Sequence, residues 1–418
     1  MDFNERELVR DLAKRQALIA ALPVMEAREK KWRALNDGKL DTPLVSVEFN
    51  GNQREVFPPC KCESELGRAI EKQLIRNITN HELLKDDRVV PNYFSVGPAN
   101  YFTPFGIKTE RVHVTHEASG TSFGYSDSHP VLDMQTDFHK FAKSEYGIDE
   151  NMAEAKKYKA EIEEIIGDIL PVKIQYGAFY FSLGNIFCHI MGMEKMMISL
   201  CDYPELFHKA IGNVTDEYLK YMDELVAARA ITTNNDGSHV AMGTWGYADG
   251  LPSAEDINRP VNFLDVWGHT NFQETVGMSV TMFDEFFFSY MEKITKRLGL
   301  LSYGCCEPVH SLWDKCLSRL TNLRKLSFSA WCKEEELAEK IRGKKIVYHR
   351  KPSALFIGVD PVFNEQGFAE HIAKSVKAAA GCPLEITFRE ELTTMNEPWR
   401  LTRAVEIVRE QFAKHWKP

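Results

Sequence analysis

Residues 279–310 read SVTMFDEFFFSYMEKITKRLGLLSYGCCEPVH, and this stretch combines a helix pattern, a strand pattern and a group of reactive side chains. Thr281 is the predicted N-cap of the helix. The apolar residues behind it recur on one helical face: Met282, Phe283, Phe286, Tyr290, Ile294 and Leu298. The strand-like run 300–305 follows directly and leads into Cys305, Cys306 and Glu307. This order predicts a helix–strand unit of a parallel sheet.

The same alternation recurs along most of the chain. Amphipathic helices are predicted at 203–227 and 333–342. The β-rich runs are 44–49, 89–96, 171–176, 230–235, 263–269, 300–305, 325–330, 345–350 and 384–389. Repeated strand–helix units close most naturally into a (β/α)8 TIM barrel. A doubly wound open sheet is the alternative, but no G-x-G-x-x-G motif follows an early strand.

Two details of this count shape the predicted domain organisation. There are nine runs for eight barrel strands, so one of the first two is expected to be peripheral or antiparallel to the others. Residues 4–36 read as a helix pair broken at Pro23. We therefore predict an N-terminal helical extension over 1–40 and a barrel over 41–418.

The composition indicates a globular cytoplasmic enzyme. The chain has 418 residues and a net charge of −9, which argues against nucleic acid or an anionic membrane as a partner. No apolar run is long enough for a transmembrane helix, and the first residues carry acids where a signal peptide would be apolar. The nine cysteines show no disulfide framework, so free thiols in a reducing cytoplasm are expected.

The strand ends predict where the chemistry lies, because a parallel barrel carries its active site at the carboxyl ends of its strands. Six consecutive strand ends carry polar or soft side chains, whereas the strand interiors are apolar. The candidate residues are Asp236, His269, Gln273, Glu274, Tyr303, Cys305, Cys306, Glu307, Trp331, His349, Arg350, Lys351 and Arg389.

Cys305, Cys306 and Glu307 form the most distinctive group. As thiolates, the cysteines could bind zinc together with Glu307, and Cys332 or His349 could complete the set. A catalytic or binding role without metal is the second interpretation, and buried packing is the third, because free cysteine is often buried. Adjacent cysteines are not a standard zinc spacing.

The other candidates also allow two interpretations each. Asp236 is either part of an Asn-Asp-Gly turn or an acid–base group. His269 is a general base, a ligand or a structural histidine. Arg350 and Lys351 suit a substrate carboxylate or phosphate, or they form a solvated basic turn. Arg389 either binds substrate or pairs with the glutamates that follow it.

Several stretches give the chain a resemblance to the uroporphyrinogen decarboxylase superfamily, which includes zinc-dependent, corrinoid-linked methyltransferases. They are WRALNDGKLDTPLVSVEF, GMEKMMISLCDYPELFHKAIGNVTDEYLKYMDEL, SVTMFDEFFFSYMEKITKRLG, YGCCEPVH and LRKLSFSAWCKEEELAEKI. Cys305 matches a metal-binding cysteine of the family's His-x-Cys motif, whereas Tyr303 stands in place of the histidine. The arginine-rich N-terminal signature of the decarboxylases is not found.

The resemblance implies an enzyme that moves a methyl group between a small methylated or methoxylated substrate and cobalamin on a partner corrinoid protein. Zinc is the implied metal, held by Cys305, Cys306 and Glu307, and a homodimer is the implied assembly. In this interpretation Asp236, Glu274 and His349 are catalytic, and the remaining candidates bind substrate. Two alternatives are a decarboxylase or C–C lyase of a carboxylated molecule, and a non-catalytic corrinoid or tetrapyrrole-binding protein.

Overall fold

The computed structural model describes residues 1–49, 51–98, 102–115 and 122–418, and within them the chain forms a mixed α/β fold. The strands are β1 (Leu44–Val47), β2 (Phe94–Val96), β3 (Arg111–Thr115), β4 (Ser122–Asp127), β5 (Val172–Ile174), β6 (Phe179–Phe181), β7 (Ser238–Ala241), β8 (Thr244–Gly246), β9 (Trp267–Thr270), β10 (Leu300–Tyr303), β11 (Leu323–Phe328), β12 (Val347–Arg350) and β13 (Leu384–Phe388).

The α-helices lie mainly between these strands, and two of them precede the sheet. They are α1 (Phe3–Ala20), α2 (Pro23–Asn36), α3 (Gln53–Val56), α4 (Glu65–Thr79), α5 (Ile148–Ile166), α6 (Leu183–Met191), α7 (Met193–Asp202), α8 (Pro204–Ala227), α9 (Val280–Phe283), α10 (Ser289–Thr295), α11 (Glu334–Ile341), α12 (Leu355–Gly358), α13 (Glu365–Ala378) and α14 (Trp399–His415). The predicted N-terminal helix pair is present, with Pro23 at the start of α2. The division into an extension and a barrel stays a prediction.

Seven strands form one parallel sheet in the order β1–β13–β12–β11–β10–β9–β6. This arrangement confirms the predicted parallel sheet and is that of a TIM-barrel-like α/β fold. Strands β2 and β5 form a separate parallel pair. Among the described residues, backbone pairing does not close the sheet into a ring. The runs 89–96 and 171–176 therefore supply strands outside the main sheet, and these two strands are parallel to each other. Strand β6 of the main sheet was not among the predicted runs.

Carboxylates bond to the free edge of β1. The backbone N–H groups of Val47 and Val45 donate to Asp86 and Asp87, each over 2.9 Å. Asp86 is buried, and burial raises its pKa to about 6. Two side chains thus satisfy amides that a neighbouring strand would otherwise satisfy.

The prediction of a strand at 230–235 is wrong, since these residues form no strand. Asn234 explains the difference, because its amide donates to the carbonyls of Trp267 and Gly177 and accepts from the backbone N–H of Trp267. An asparagine side chain here replaces part of the backbone ladder. The run 263–269 also shifts. A 3₁₀ turn occupies Phe263–Asp265, and the strand starts at Trp267.

The helix within the stretch 279–310 begins two residues earlier than predicted. Ser279, not Thr281, is the N-cap, and its hydroxyl accepts from the backbone N–H of Met282. The helix then passes through a π-helical turn at Asp284–Phe288, which links α9 to α10. The predicted apolar face holds, because Phe283, Phe286 and Ile294 are all buried in the main core.

A β-hairpin formed by β7 and β8 packs against the polar inner face of the sheet. Thr244 on β8 is fully buried and donates to Glu385 of β13 over 2.8 Å. Lys325 of β11 bonds to both residues. At the tip, Gly243 has φ +79°, and an added β-carbon would overlap the Cγ2 atom of Thr387. The hairpin thus divides the space above the strand ends into two chambers.

Candidate active site

The larger chamber lies at the carboxyl ends of β6, β9, β10 and β13, and we call it the thiol chamber. It has a volume of about 590 Å³. Its lining residues are Tyr180, His239, Ala241, Met242, Asn271, Gln273, Cys305, Cys306, Arg389, Glu390 and Leu392. This is the place where parallel barrels carry their chemistry. The chamber brings together four of the predicted residues, namely Gln273, Cys305, Cys306 and Arg389.

Both cysteines face the chamber because β10 ends before them. The strand stops at Tyr303, and Gly304 takes φ +97° so close to the Ser327 carbonyl that a β-carbon would overlap it. This turn breaks the alternation that would point adjacent side chains to opposite faces. The two Sγ atoms lie 3.4 Å apart, and Cys306 Sγ lies 3.5 Å from Glu390 Oε1.

The two thiols are electrostatically unequal. The hydrogen bond from Cys306 lowers the pKa of Cys305, and Lys351 and Arg389 lower it further, whereas burial opposes them. The same hydrogen bond raises the pKa of Cys306, with burial adding to the effect. Cys305 is therefore the more acidic thiol of the pair, and Cys306 is its hydrogen-bond donor. A thiolate is the reactive form of cysteine.

Glu307 does not face the cysteine sulfurs. Its carboxylate accepts the backbone N–H groups of Phe272 and Cys305, over 3.0 and 2.8 Å, and it is buried. It thereby fixes the turn after β10. The predicted ligand set of Cys305, Cys306 and Glu307 thus does not fit a metal ion. Throughout the described residues, no group of three or more His, Cys, Asp or Glu side chains is placed to hold one. Zinc stays a prediction.

Fixed charges surround the thiols. Lys351 is fully buried, donates to the Cys305 carbonyl and pairs with Glu390 over 3.4 Å. Arg389 pairs with Glu48 over 2.6 Å, and Glu48 lies 3.3 Å from His239. Burial alone would raise the pKa of Glu48, but His239 and Arg389 lower it to about 2. The expected pairing of Arg389 with the glutamates that follow it is wrong, because its partner is Glu48.

Three predicted residues lie behind the chamber wall. His269 is buried behind Tyr180, whose ring stacks on it at 5.7 Å, and burial lowers its pKa to about 3. Glu274 is buried and accepts from Asn185 over 2.9 Å. Tyr303 is fully buried in the main core. A neutral His269 is a structural group or a hydrogen-bonding partner in this position, since it carries no charge at neutral pH.

Four further predicted residues lie away from the thiol chamber. Arg350 is buried and pairs with Glu334 over 3.0 Å, so it is not the solvated turn that one interpretation expected. His349 is buried beside Thr387, at 2.9 Å. Trp331 is 80% exposed. Asp236 lies beside the second chamber, where it accepts from Gln175 and Ser238.

Four polar residues of the thiol chamber and its charged surroundings were not predicted, and Glu390 was considered only as a partner of Arg389. Glu48 follows β1, so the strand-end rule applied to that strand would have found it. Asn271 follows β9 in the same way, and Tyr180 lies on β6. His239 gave no local signal, because it lies on the hairpin and approaches Glu48 only through the fold.

Comparison with solved structures shows a shared fold. A methyltransferase from Methanosarcina mazei matches over 92% of this chain and 99% of that chain, with a TM-score of 0.51 and 16% sequence identity. A scan of known protein families and a search of curated proteins both found no match. Within the described residues, no helix is both long and apolar enough to span a membrane.

Proposed function

We propose that the protein is a methyltransferase-type enzyme that transfers a methyl group from a small methylated or methoxylated substrate to a corrinoid protein. The observation that carries this proposal is the thiol pair, in which the sulfurs of Cys305 and Cys306 lie 3.4 Å apart, within hydrogen-bond distance, inside a chamber at the strand ends. The fold likeness to a methyltransferase supports it. The corrinoid protein would supply the methyl acceptor.

The residues of the thiol chamber suit the leaving group of such a reaction. When a methyl group leaves oxygen or nitrogen, that atom gains electron density and needs a proton or a positive charge. Cys306 holds a thiol proton between Cys305 and Glu390. Lys351 favours the anion that remains when this proton moves, since it lowers the pKa of Cys306 as well as that of Cys305. Cys306 is therefore the proposed proton donor to the leaving atom, and its sulfur then carries the negative charge.

The experiment is methyl transfer to free cob(I)alamin from a panel of methoxylated aromatic and methylated amine donors, followed by the change in the cobalamin spectrum. Replacing Cys306 by Ala removes the proposed acid and should lower the rate by about 10²-fold or more. Cys201→Ser is the matched control, because Cys201 is an exposed thiol outside the chamber. A Cys306→Ala variant that keeps the wild-type rate would contradict the proposal.

In the lyase alternative, Arg350 and Lys351 were expected to hold the substrate carboxylate, but both bind other groups of the protein. Arg350 pairs with Glu334, and Lys351 pairs with Glu390 and the Cys305 carbonyl. If the protein releases carbon dioxide from a carboxylated substrate and transfers no methyl group, that alternative is favoured over our proposal.

A further inference from the structure

A second chamber lies on the other side of the hairpin, and we call it the side chamber. It has a volume of about 310 Å³ and lies between α4, the ends of β1 and β2, and β7–β8. The polar part of its lining includes Gln73, Arg76, Arg88, Ser95, Gln175 and Trp245. His239 lines both chambers, so the two adjoin at this imidazole.

Two buried N–H donors of the side chamber have no acceptor in the described part of the chain. They are Nε of Arg88 and Nε1 of Trp245. The guanidinium of Arg88 lies over the Trp245 ring at 4.4 Å, so both donors belong to one stacked pair. An unsatisfied buried donor lowers the stability of the folded protein, because it has lost its hydrogen bonds to water. A ligand that only accepts hydrogen bonds would satisfy both.

The charge of the side chamber also favours an anion. Arg88 donates its outer nitrogens to the neutral side-chain oxygens of Asn80 and Asn77, each over 2.9 Å. Arg76 adds a second, exposed guanidinium at the rim. Burial lowers the pKa of Arg88 to about 10, which leaves it charged at neutral pH. Asp86 behind it already accepts from the backbone of Val47 and from Asn80.

Two carboxylates near the side chamber are already engaged by other groups. Glu48 lines the chamber but pairs with His239 and Arg389. Asp236 accepts from Gln175 and Ser238, over 2.8 and 3.0 Å. The guanidinium of half-buried Arg88 is thus a cation that lines the cavity and keeps an unused donor, its Nε.

We propose that the side chamber binds the carboxylate of a small methylated or methoxylated acid, with Arg88 Nε and Trp245 Nε1 as its donors and Arg76 at its rim. The methylated end would then extend past His239 toward Cys305 and Cys306. The choice of a methylated acid rests on the proposed function, whereas the carboxylate site rests on the side chamber alone.

Binding is measured by calorimetry with acetate, benzoate and 4-methoxybenzoate, and with 4-methoxybenzamide as the neutral counterpart of the last. We expect a carboxylate to bind and the amide to bind at least tenfold more weakly. Trp245→Phe removes one N–H donor but keeps an aromatic face for Arg88. It should weaken carboxylate binding about tenfold, since a hydrogen bond to a charged group contributes roughly 1.5–3 kcal/mol. Trp313→Phe, outside the chamber, is its control.

The rim is tested by Arg76→Gln, which should weaken binding and reduce its dependence on salt. Arg68→Gln is the matched control, because Arg68 is an exposed residue of the same helix that does not line the chamber. No binding of any of the three carboxylates, equal binding of 4-methoxybenzamide, or an unchanged Trp245→Phe variant would each overturn the proposal.

The two proposals fail in different ways. Carboxylate binding that needs Trp245, without methyl transfer from any donor, supports the side chamber and contradicts the methyltransferase. Methyl transfer that needs Cys306, without any preference for carboxylates, contradicts the side chamber alone.

Discussion

Glu391 shows how burial sets the charge of a single residue in this fold. It is 2% exposed, its Oε1 atom has no partner in the described residues, and burial raises its pKa to about 8. The carboxyl group is therefore protonated at neutral pH in the folded protein, whereas in the unfolded chain it ionises near its ordinary pKa of 4.5.

A pH dependence of stability follows from Glu391. The folded state keeps this proton up to a higher pH than the unfolded state does. The contribution of Glu391 to the free energy of unfolding is therefore fully present below pH 4.5 and is lost as the pH rises toward 8. The slope is at most about 1.4 kcal/mol per pH unit. Glu391→Gln mimics the protonated form, so urea unfolding of this variant should lack that loss. If the free energies of unfolding of the wild-type protein and of Glu391→Gln change with pH in parallel, the assignment is contradicted.

The strand-end rule succeeded and failed for reasons visible at individual residues. It brought Cys305, Cys306 and Gln273 into one chamber because parallel strands end at the same edge. It failed for Arg350 because residues alternate along β12, and this side chain reaches Glu334 of α11 instead. No local pattern distinguishes these two cases.

At the scale of elements, the hairpin of β7 and β8 was not predicted. Its position depends on contacts between residues far apart in sequence, such as Thr244 with Lys325 and Glu385. A run of four or three residues gives too little pattern to be identified alone. The helices predicted at 203–227 and 333–342 lie within one or two residues of those bounds, because caps and apolar faces are local signals.

Gly243 at the hairpin tip provides a test of this packing. Gly243→Ala adds a β-carbon at φ +79° that would overlap Thr387, so we expect a loss of about 2–4 kcal/mol in urea unfolding. Gly250→Ala is the control, since nothing lies within 4 Å of its added carbon.

A second variant separates clash from backbone strain at Gly243. Thr387→Ser removes the methyl group that overlaps the added β-carbon. The double variant Gly243→Ala with Thr387→Ser should therefore lose less free energy of unfolding than the sum of the two single-variant losses. Additive effects of the two substitutions would show that the hairpin tip does not press on Thr387.

At the scale of the whole molecule, the sequence predicted the parallel sheet but not how its edge is finished. The free edge of β1 is bonded by Asp86 and Asp87, and Asn234 joins Gly177, between β5 and β6, to Trp267 of β9. Side chains that replace backbone ladders leave no periodic signal. The division of the strand-end space into two chambers follows from the hairpin and was likewise beyond prediction.

The proposed chemistry depends on two unequal thiols in the thiol chamber, of which Cys305 is the more acidic and Cys306 is its hydrogen-bond donor. The most direct test is the rate of iodoacetamide alkylation at Cys305 against pH, followed by mass spectrometry, with exposed Cys201 as the internal reference. We predict that Cys305 titrates below the ordinary cysteine pKa of about 8.5 and that Cys306→Ala shifts its profile upward. A Cys305 profile that matches Cys201, or one that Cys306→Ala leaves unchanged, would contradict the claim.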